Sequence, residues 1–211
     1  MNTTVLDVGQ GTPEWQAIRA GRLTSSRAPD MLAKVKTGEA AGRRNLRVQM
    51  ALERIVGRNL DRVISTPAML DGTAREGAAL ARYESHCGEL VTRVGFVACD
   101  DLLAGWSPDG LVGDDGAVEA KCTEHSAHYA ALKSRTIPTA YQTQMVHALW
   151  VSGRAWCDWV SYQPDWPEDL QLLVLRFARD EDRIAEYDSA ARAFLAEVDD
   201  EYRAVMALRG K

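Results

Sequence analysis

No stretch of the chain approaches the roughly 20 consecutive apolar residues that a membrane-spanning helix needs. The opening Met1-Asn2-Thr3-Thr4-Val5-Leu6-Asp7 has neither a basic nor an apolar segment, so no secretory leader is expected. Cysteine is scarce: Cys87, Cys99, Cys122 and Cys157 are scattered and form no C-x-x-C pair. That argues against a disulfide framework or an iron–sulfur site and for reduced thiols in a cytoplasmic protein. There is no excess of positive charge, because the net charge is −5, and indiscriminate coating of nucleic acid is not expected. Internal repeats, low-complexity segments and linkers are also missing. A single domain over 1–211 is therefore expected, with enough apolar content (46%) for a proper core.

What is present is unevenly placed. Residues 1–75 carry 12 Lys/Arg against 7 Asp/Glu, and residues 165–211 carry 7 against 12. Such a division suits one DNA-facing surface opposite a solvated one, and equally suits uneven helix surfaces without meaning.

Thr12-Pro13-Glu14 reads as a helix start, with the helix ending near Gly21. Ser25 or Ser26 is placed to cap a second helix through Leu32. The spacing of Leu46, Met50, Leu52, Ile55 and Val56 predicts a helix over 42–56 stopped by Gly57, and another is expected from Thr73 to Cys87. Strand character then dominates Leu90–Cys99, Gly105–Trp106 and Gly110–Val112. A turn signal at Gly113-Asp114-Asp115-Gly116 leads to a return strand, Ala117–Cys122. Helices are expected at 125–133 and 139–151, strands at Ala155–Tyr162 and Leu170–Ala178, and a last helix capped by Asp180. The order predicts an α/β fold, a mixed sheet flanked by helices.

The chemistry concentrates in Ser107-Pro108-Asp109-Gly110 and Glu119-Ala120-Lys121. Two carboxylates and an amine on one hairpin supply hard oxygen ligands for Mg²⁺ and a cation for a water or a phosphate, as phosphodiester hydrolysis requires. Glu119 and Lys121 leave a strand on the same face. Asp109 joins them if 109 pairs with 121, which takes an odd-numbered loop of three or five residues, or a bulge; a four-residue loop turns Asp109 away. The plain alternative for Glu119 and Lys121 is an exposed ion pair worth almost nothing. His125 and His128, three apart beside Cys122, lack further ligands at zinc spacing. His86 and His147 read as ordinary helix residues.

P-D followed by E-x-K resembles the PD-(D/E)xK nuclease motif, and the fuller match is to the phage lambda exonuclease family, the YqaJ-like viral recombinases. The resemblance rests on Trp15-Gln16-Ala17-Ile18-Arg19 with Gly21 and Thr24-Ser25-Ser26; Gly72-Thr73-Ala74-Arg75-Glu76; Ser107-Pro108-Asp109-Gly110-Leu111; Glu119-Ala120-Lys121-Cys122; and Ala140-Tyr141, Gln144 and Trp150. It implies a restriction-endonuclease-like core. Asp109 and Glu119 then resemble the principal Mg²⁺ ligands, helped by the backbone carbonyl of Ala120. Glu76 resembles the outer carboxylate of a second metal site, and Lys121 the lysine that orients or activates the attacking water. Two Mg²⁺ per site are implied, with Mn²⁺ able to substitute.

Arg19, Ser26, Ser107 and Gln144 match the positions that in this family hold a terminal 5′-phosphate. From sequence alone Arg19 also fits a helix C-terminal cation, Ser26 an N-cap and Glu76 a solvated helix residue. Met69 falls at the family's strand-separating wedge, or is a core methionine. Among Lys34, Lys36, Arg43, Arg44, Arg47, Arg54, Arg58 and Arg62, some are expected to contact duplex DNA. Val146 stands where the family pattern often has a second glutamine. The activity implied is 5′→3′ exonuclease digestion of linear double-stranded DNA to mononucleotides, leaving a 3′ single strand. The implied setting is a phage or prophage recombination system, with a single-strand annealing partner and a homotrimeric ring. Two other readings stay open: a PD-(D/E)xK endonuclease of restriction or junction-resolving type, and a non-catalytic DNA-binding relic of the fold.

Overall fold

A computed structural model describes residues 2–61 and 67–209, with backbone only for 67–74. The chain runs β1 (Thr3–Leu6), α1 (Pro13–Arg19), a 3₁₀ turn (Ser25–Arg27), α2 (Ala28–Met31), α3 (Ala41–Val56) and α4 (Pro67–Cys87). Five short strands follow: β2 (Val91–Thr92), β3 (Phe96–Cys99), β4 (Gly105–Trp106), β5 (Gly110–Val112) and β6 (Gly116–Lys121). The remainder is α5 (His125–Ser134), α6 (Thr139–Ser152), β7 (Trp156–Tyr162), β8 (Leu172–Ala178) and α7 (Glu181–Met206). No helix among the described residues is long and apolar enough to cross a membrane.

The main sheet has the order β2-β5-β6-β7-β8 and is mixed, because β6 and β7 run parallel while the other neighbours are antiparallel. Alternation along β6 divides two cores. Val118 and Ala120 face Leu80 and Tyr83 of α4, whereas Ala117 joins Trp159, Met145 and Leu149 on the α6 side. A helix layer on each face of a mixed sheet is the expected fold class.

Caps were readable. Thr12 Oγ1 accepts from Trp15 N at 3.2 Å, Asp180 Oδ1 accepts from Arg183 N at 3.0 Å, and Gly57 ends α3 with a left-handed backbone. Three expectations need correction. The segment 90–99 is not one strand: at Gly95, where a Cβ would fall 1.8 Å from the Val8 carbonyl oxygen, the chain passes from β2 into β3 of a separate sheet ordered β1-β3-β4. Neither Ser25 nor Ser26 caps a helix; both lie inside the 3₁₀ turn after Thr24. Helix α4 also begins at Pro67, earlier than Thr73.

The basic and acidic regions of the chain turn out to be partners. Arg43 and Arg47 of α3 pair with Glu197 and Glu201 of α7, and Arg54 pairs with Asp199. Those three arginines are therefore occupied within the fold, while Lys34, Lys36, Arg44 and Arg58 stay exposed.

Candidate active site

The β5–β6 hairpin pairs Gly110 with Val118 and Val112 with Gly116, leaving a three-residue loop, so the register is of the odd kind. Continued one step, it sets Asp109 opposite Glu119 and not opposite Lys121, one pair away from the pairing expected; both registers leave all three on one face. Two features hold it there. A Cβ on Gly110 would lie 2.0 Å from Val91 of β2, so only glycine admits this approach. From the far side, the Arg154 guanidinium donates to the carbonyls of Val112, Gly113 and Gly116.

Asp109 Oδ2 accepts from the backbone N–H of Ala120 at 2.7 Å, and Lys121 Nζ donates to Glu119 Oε1 at 2.6 Å. Burial, then the charge of Glu119, pushes the Asp109 carboxyl well above the usual carboxylate range. Burial acts to lower the Lys121 ammonium, but Glu119 and Asp109 outweigh it and hold the group above its ordinary value. Its Nζ also lies 5.7 Å from the ring centre of Tyr141, which packs on Trp159. Glu76 enters from α4, raised by burial against the opposing charges of Arg93 and Lys121, with Arg93 Nη1 at 3.6 Å.

The donors suit a hard divalent cation: carboxylate oxygens, with a half-buried Asp109 crowded by the charge of Glu119. Among the described residues no three carboxylate, imidazole or thiol groups converge to metal-holding distances, and here Glu119 is engaged by Lys121 and Glu76 by Arg93.

Beside these residues is a second cluster. Ser107 Oγ accepts from Trp15 Nε1 at 3.0 Å and from Arg19 Nη1 at 3.1 Å, and the Arg19 guanidinium lies 4.3 Å over the Trp15 ring. Burial, and then the positive charge of Arg27, lowers Arg19 to about 10. Among the described residues no carboxylate lies within 4.0 Å of it. A half-buried guanidinium without an acid partner is a ready anion site. Ser26 is exposed, with Oγ 3.4 Å from Thr24 Oγ1, and its turn packs against α6, which carries the half-buried Gln144. Arg19 and Ser107 are thus brought together, while Ser26 and Gln144 make no hydrogen bond to either.

Trp15, quoted from sequence only within its family block, was given no role there, although its spacing of four from Arg19 on one helix was the available signal. The side chain of Met69 and all of Arg62 lie outside the described residues. Both ring nitrogens of His128 are used inside the fold, by Ser161 Oγ and the Leu170 carbonyl at 2.8 Å each. His147 is no ordinary helix residue: it is fully buried, with Nδ1 2.7 Å from Tyr187 Oη and Nε2 2.9 Å from the Gly105 carbonyl.

Residues 14–155 match the model of the YqaJ-like viral recombinase domain. No curated protein sequence matches the chain. Among solved structures, the alkaline exonuclease of Laribacter hongkongensis is 37% identical, covering 93% of this chain and 97% of that one, with a TM-score of 0.83. The same exonuclease in complex with dAMP matches at 38% identity, over 92% of this chain and 96% of that one, again at TM-score 0.83. A phage-related exonuclease from Haemophilus somnus 129PT has the same fold, at 13% identity, 87% and 96% coverage and a TM-score of 0.65.

Proposed function

From the premise that this chain belongs to the YqaJ-like viral recombinase family, which supports a nuclease function, we propose that it is a Mg²⁺-dependent 5′→3′ exonuclease of linear double-stranded DNA. It releases 5′-mononucleotides, leaves a 3′ single strand for annealing in phage-type recombination, and works beside a single-strand annealing protein as a homotrimer. The observation that carries the reading is the adjacency of two sites on one short stretch. Ser107, in the anion cluster, stands two residues before Asp109, in the carboxylate cluster.

Arg19 holds the terminal 5′-phosphate. The Ser107 hydroxyl, already accepting from Trp15 and Arg19, has its own O–H left to donate to a phosphate oxygen. Ser26 and Gln144 supply further neutral donors as the DNA end seats. Two divalent ions held by Asp109, Glu119, the Ala120 carbonyl and Glu76 would polarise the scissile phosphate and offset the charge that builds on it. Lys121 orients the attacking water and steadies the negative charge at the reacting oxygens. The dAMP complex of the Laribacter enzyme supports a mononucleotide as the product class.

The test uses Mg²⁺ with linear duplex bearing a 5′-phosphate, the same duplex with a 5′-hydroxyl, and a closed circle. Fast loss of the first, slower loss of the second and an intact circle are expected, with all cleavage stopped by a chelator. A cut circle would replace the reading with an endonuclease. Binding without cleavage of any substrate would leave a non-catalytic DNA-binding protein.

A further inference from the structure

Arg27 closes the 3₁₀ turn that carries Ser25 and Ser26, and it is buried. Its Nη1 donates to Glu53 Oε2 at 2.9 Å and to the Arg22 carbonyl at 3.0 Å. Its Nη2 donates to Glu53 Oε1 at 2.6 Å and to Asp61 Oδ2 at 2.9 Å. Glu53, on α3, is wholly buried and accepts further bonds from Gly21 N at 2.7 Å, Leu60 N at 3.1 Å and Gln49 Nε2 at 3.1 Å. One carboxylate therefore ties together the end of α1, the serine-bearing turn, α3 and the segment that leaves it.

A buried ion pair is a weak source of net stability, since desolvating two charges offsets most of their attraction. Its best-attested use is to fix register, and here the elements it registers are those that carry Arg19 and Ser26. The charges are also sorted. Glu53 and Asp61 both bond Arg27, and Arg19, whose positive charge is disfavoured by the neighbouring Arg27, is left without either acid. A carboxylate that reached Arg19 would compete with a phosphate for the same fork of donors.

We infer that Arg27 and Glu53 are positioning residues of the 5′-phosphate pocket: the pair locks the Ser26 turn against α1 and α3 and keeps both nearby acids off Arg19. This rests on the pocket assigned above. Arg27 touches no substrate in this scheme; it acts through the turn and through Arg19.

The test compares kcat/KM on matched 5′-phosphate and 5′-hydroxyl duplexes for the wild type, Arg27→Lys, Asp61→Asn and Arg19→Ala, with thermal unfolding of each. Lysine keeps the charge at 27 but cannot bridge Glu53, Asp61 and the Arg22 carbonyl together. The Asp61 side chain is 42% exposed, so its variant keeps the measurement decisive if Arg27→Lys fails to fold. The phosphate-to-hydroxyl ratio is expected to fall about tenfold in Arg27→Lys and roughly threefold in Asp61→Asn, mainly through KM, as a displaced binding group requires. An unaltered ratio in a folded variant, or equal loss on both ends, overturns the inference. Arg19→Ala separates two failures. If it too leaves the ratio unaltered, the phosphate pocket itself is wrong; if it alone collapses the ratio, the pocket stands and the positioning role falls.

Discussion

His147 gives the chain a built-in response to acid. Its Nε2 faces the Gly105 carbonyl, which can only accept, so Nε2 carries the proton and Nδ1 accepts from the Tyr187 hydroxyl. The ring is neutral in this arrangement, and burial lowers its pKa from 6.5 to about 4. Above pH 6.5 folded and unfolded chains both keep it neutral, and its contribution to stability is fully present. As pH falls, the unfolded chain takes a proton that the folded one refuses, so the contribution is lost between about 6.5 and about 4. At about 1.4 kcal/mol per pH unit the loss reaches roughly 3 kcal/mol, a large share of the ~5–15 kcal/mol typical of a domain. Urea unfolding of the wild type and His147→Gln from pH 7.5 to 4.5 isolates it, because glutamine can keep both hydrogen bonds without titrating. The raised Asp109 and Glu76 carboxyls are common to both proteins and cancel in the difference. The wild-type advantage should shrink by roughly 3 kcal/mol across this range. A difference that stays constant from neutral to acid pH would refute the reasoning. The strand pinned by His147 runs straight into Ser107-Pro108-Asp109, so the proposed phosphate pocket and the proposed metal-binding carboxylate share its fate.

Two variants probe the proposed catalytic role of the β5–β6 hairpin. Lys121→Ala should abolish cleavage and spare DNA binding, since it removes one cation of many; equal loss of binding in a mobility-shift assay contradicts that role. Asp109→Asn should also abolish cleavage yet raise the midpoint of metal-free thermal unfolding at alkaline pH by ~2–4 °C, because it relieves a half-buried carboxylate crowded by Glu119. A lowered midpoint would mean that the carboxylate stabilises the fold.

The hairpin was legible because its signals are local: alternation along β6, a Gly-Asp-Asp-Gly turn and a fixed gap between Pro108-Asp109 and Glu119. Caps at Thr12 and Asp180 were legible for the same reason. What escaped involves partners distant in the chain. Glu53 and Arg27 look like surface charges on any helix plot, and only the approach of the α1 end to α3 buries them. His147 needed Gly105 and Tyr187, 42 and 40 residues away. The break at Gly95 depends on Val8, which no window around residue 95 contains.

The clasp between α3 and α7 bears on how the protein meets DNA. Helix α7 holds eight acidic and three basic residues, an imbalance as large as the net charge of the whole chain. Yet three of its acids, Glu197, Asp199 and Glu201, pair with arginines of α3, so part of the asymmetry along the sequence is cancelled in space. Opposite charges packed side by side leave little field beyond a Debye length, about 8 Å at physiological salt. On the proposed function, a DNA end would receive little long-range guidance from those paired charges. Any steering of that end would then fall to the exposed Lys34, Lys36, Arg44 and Arg58, and removing the α3–α7 pairs should change association little.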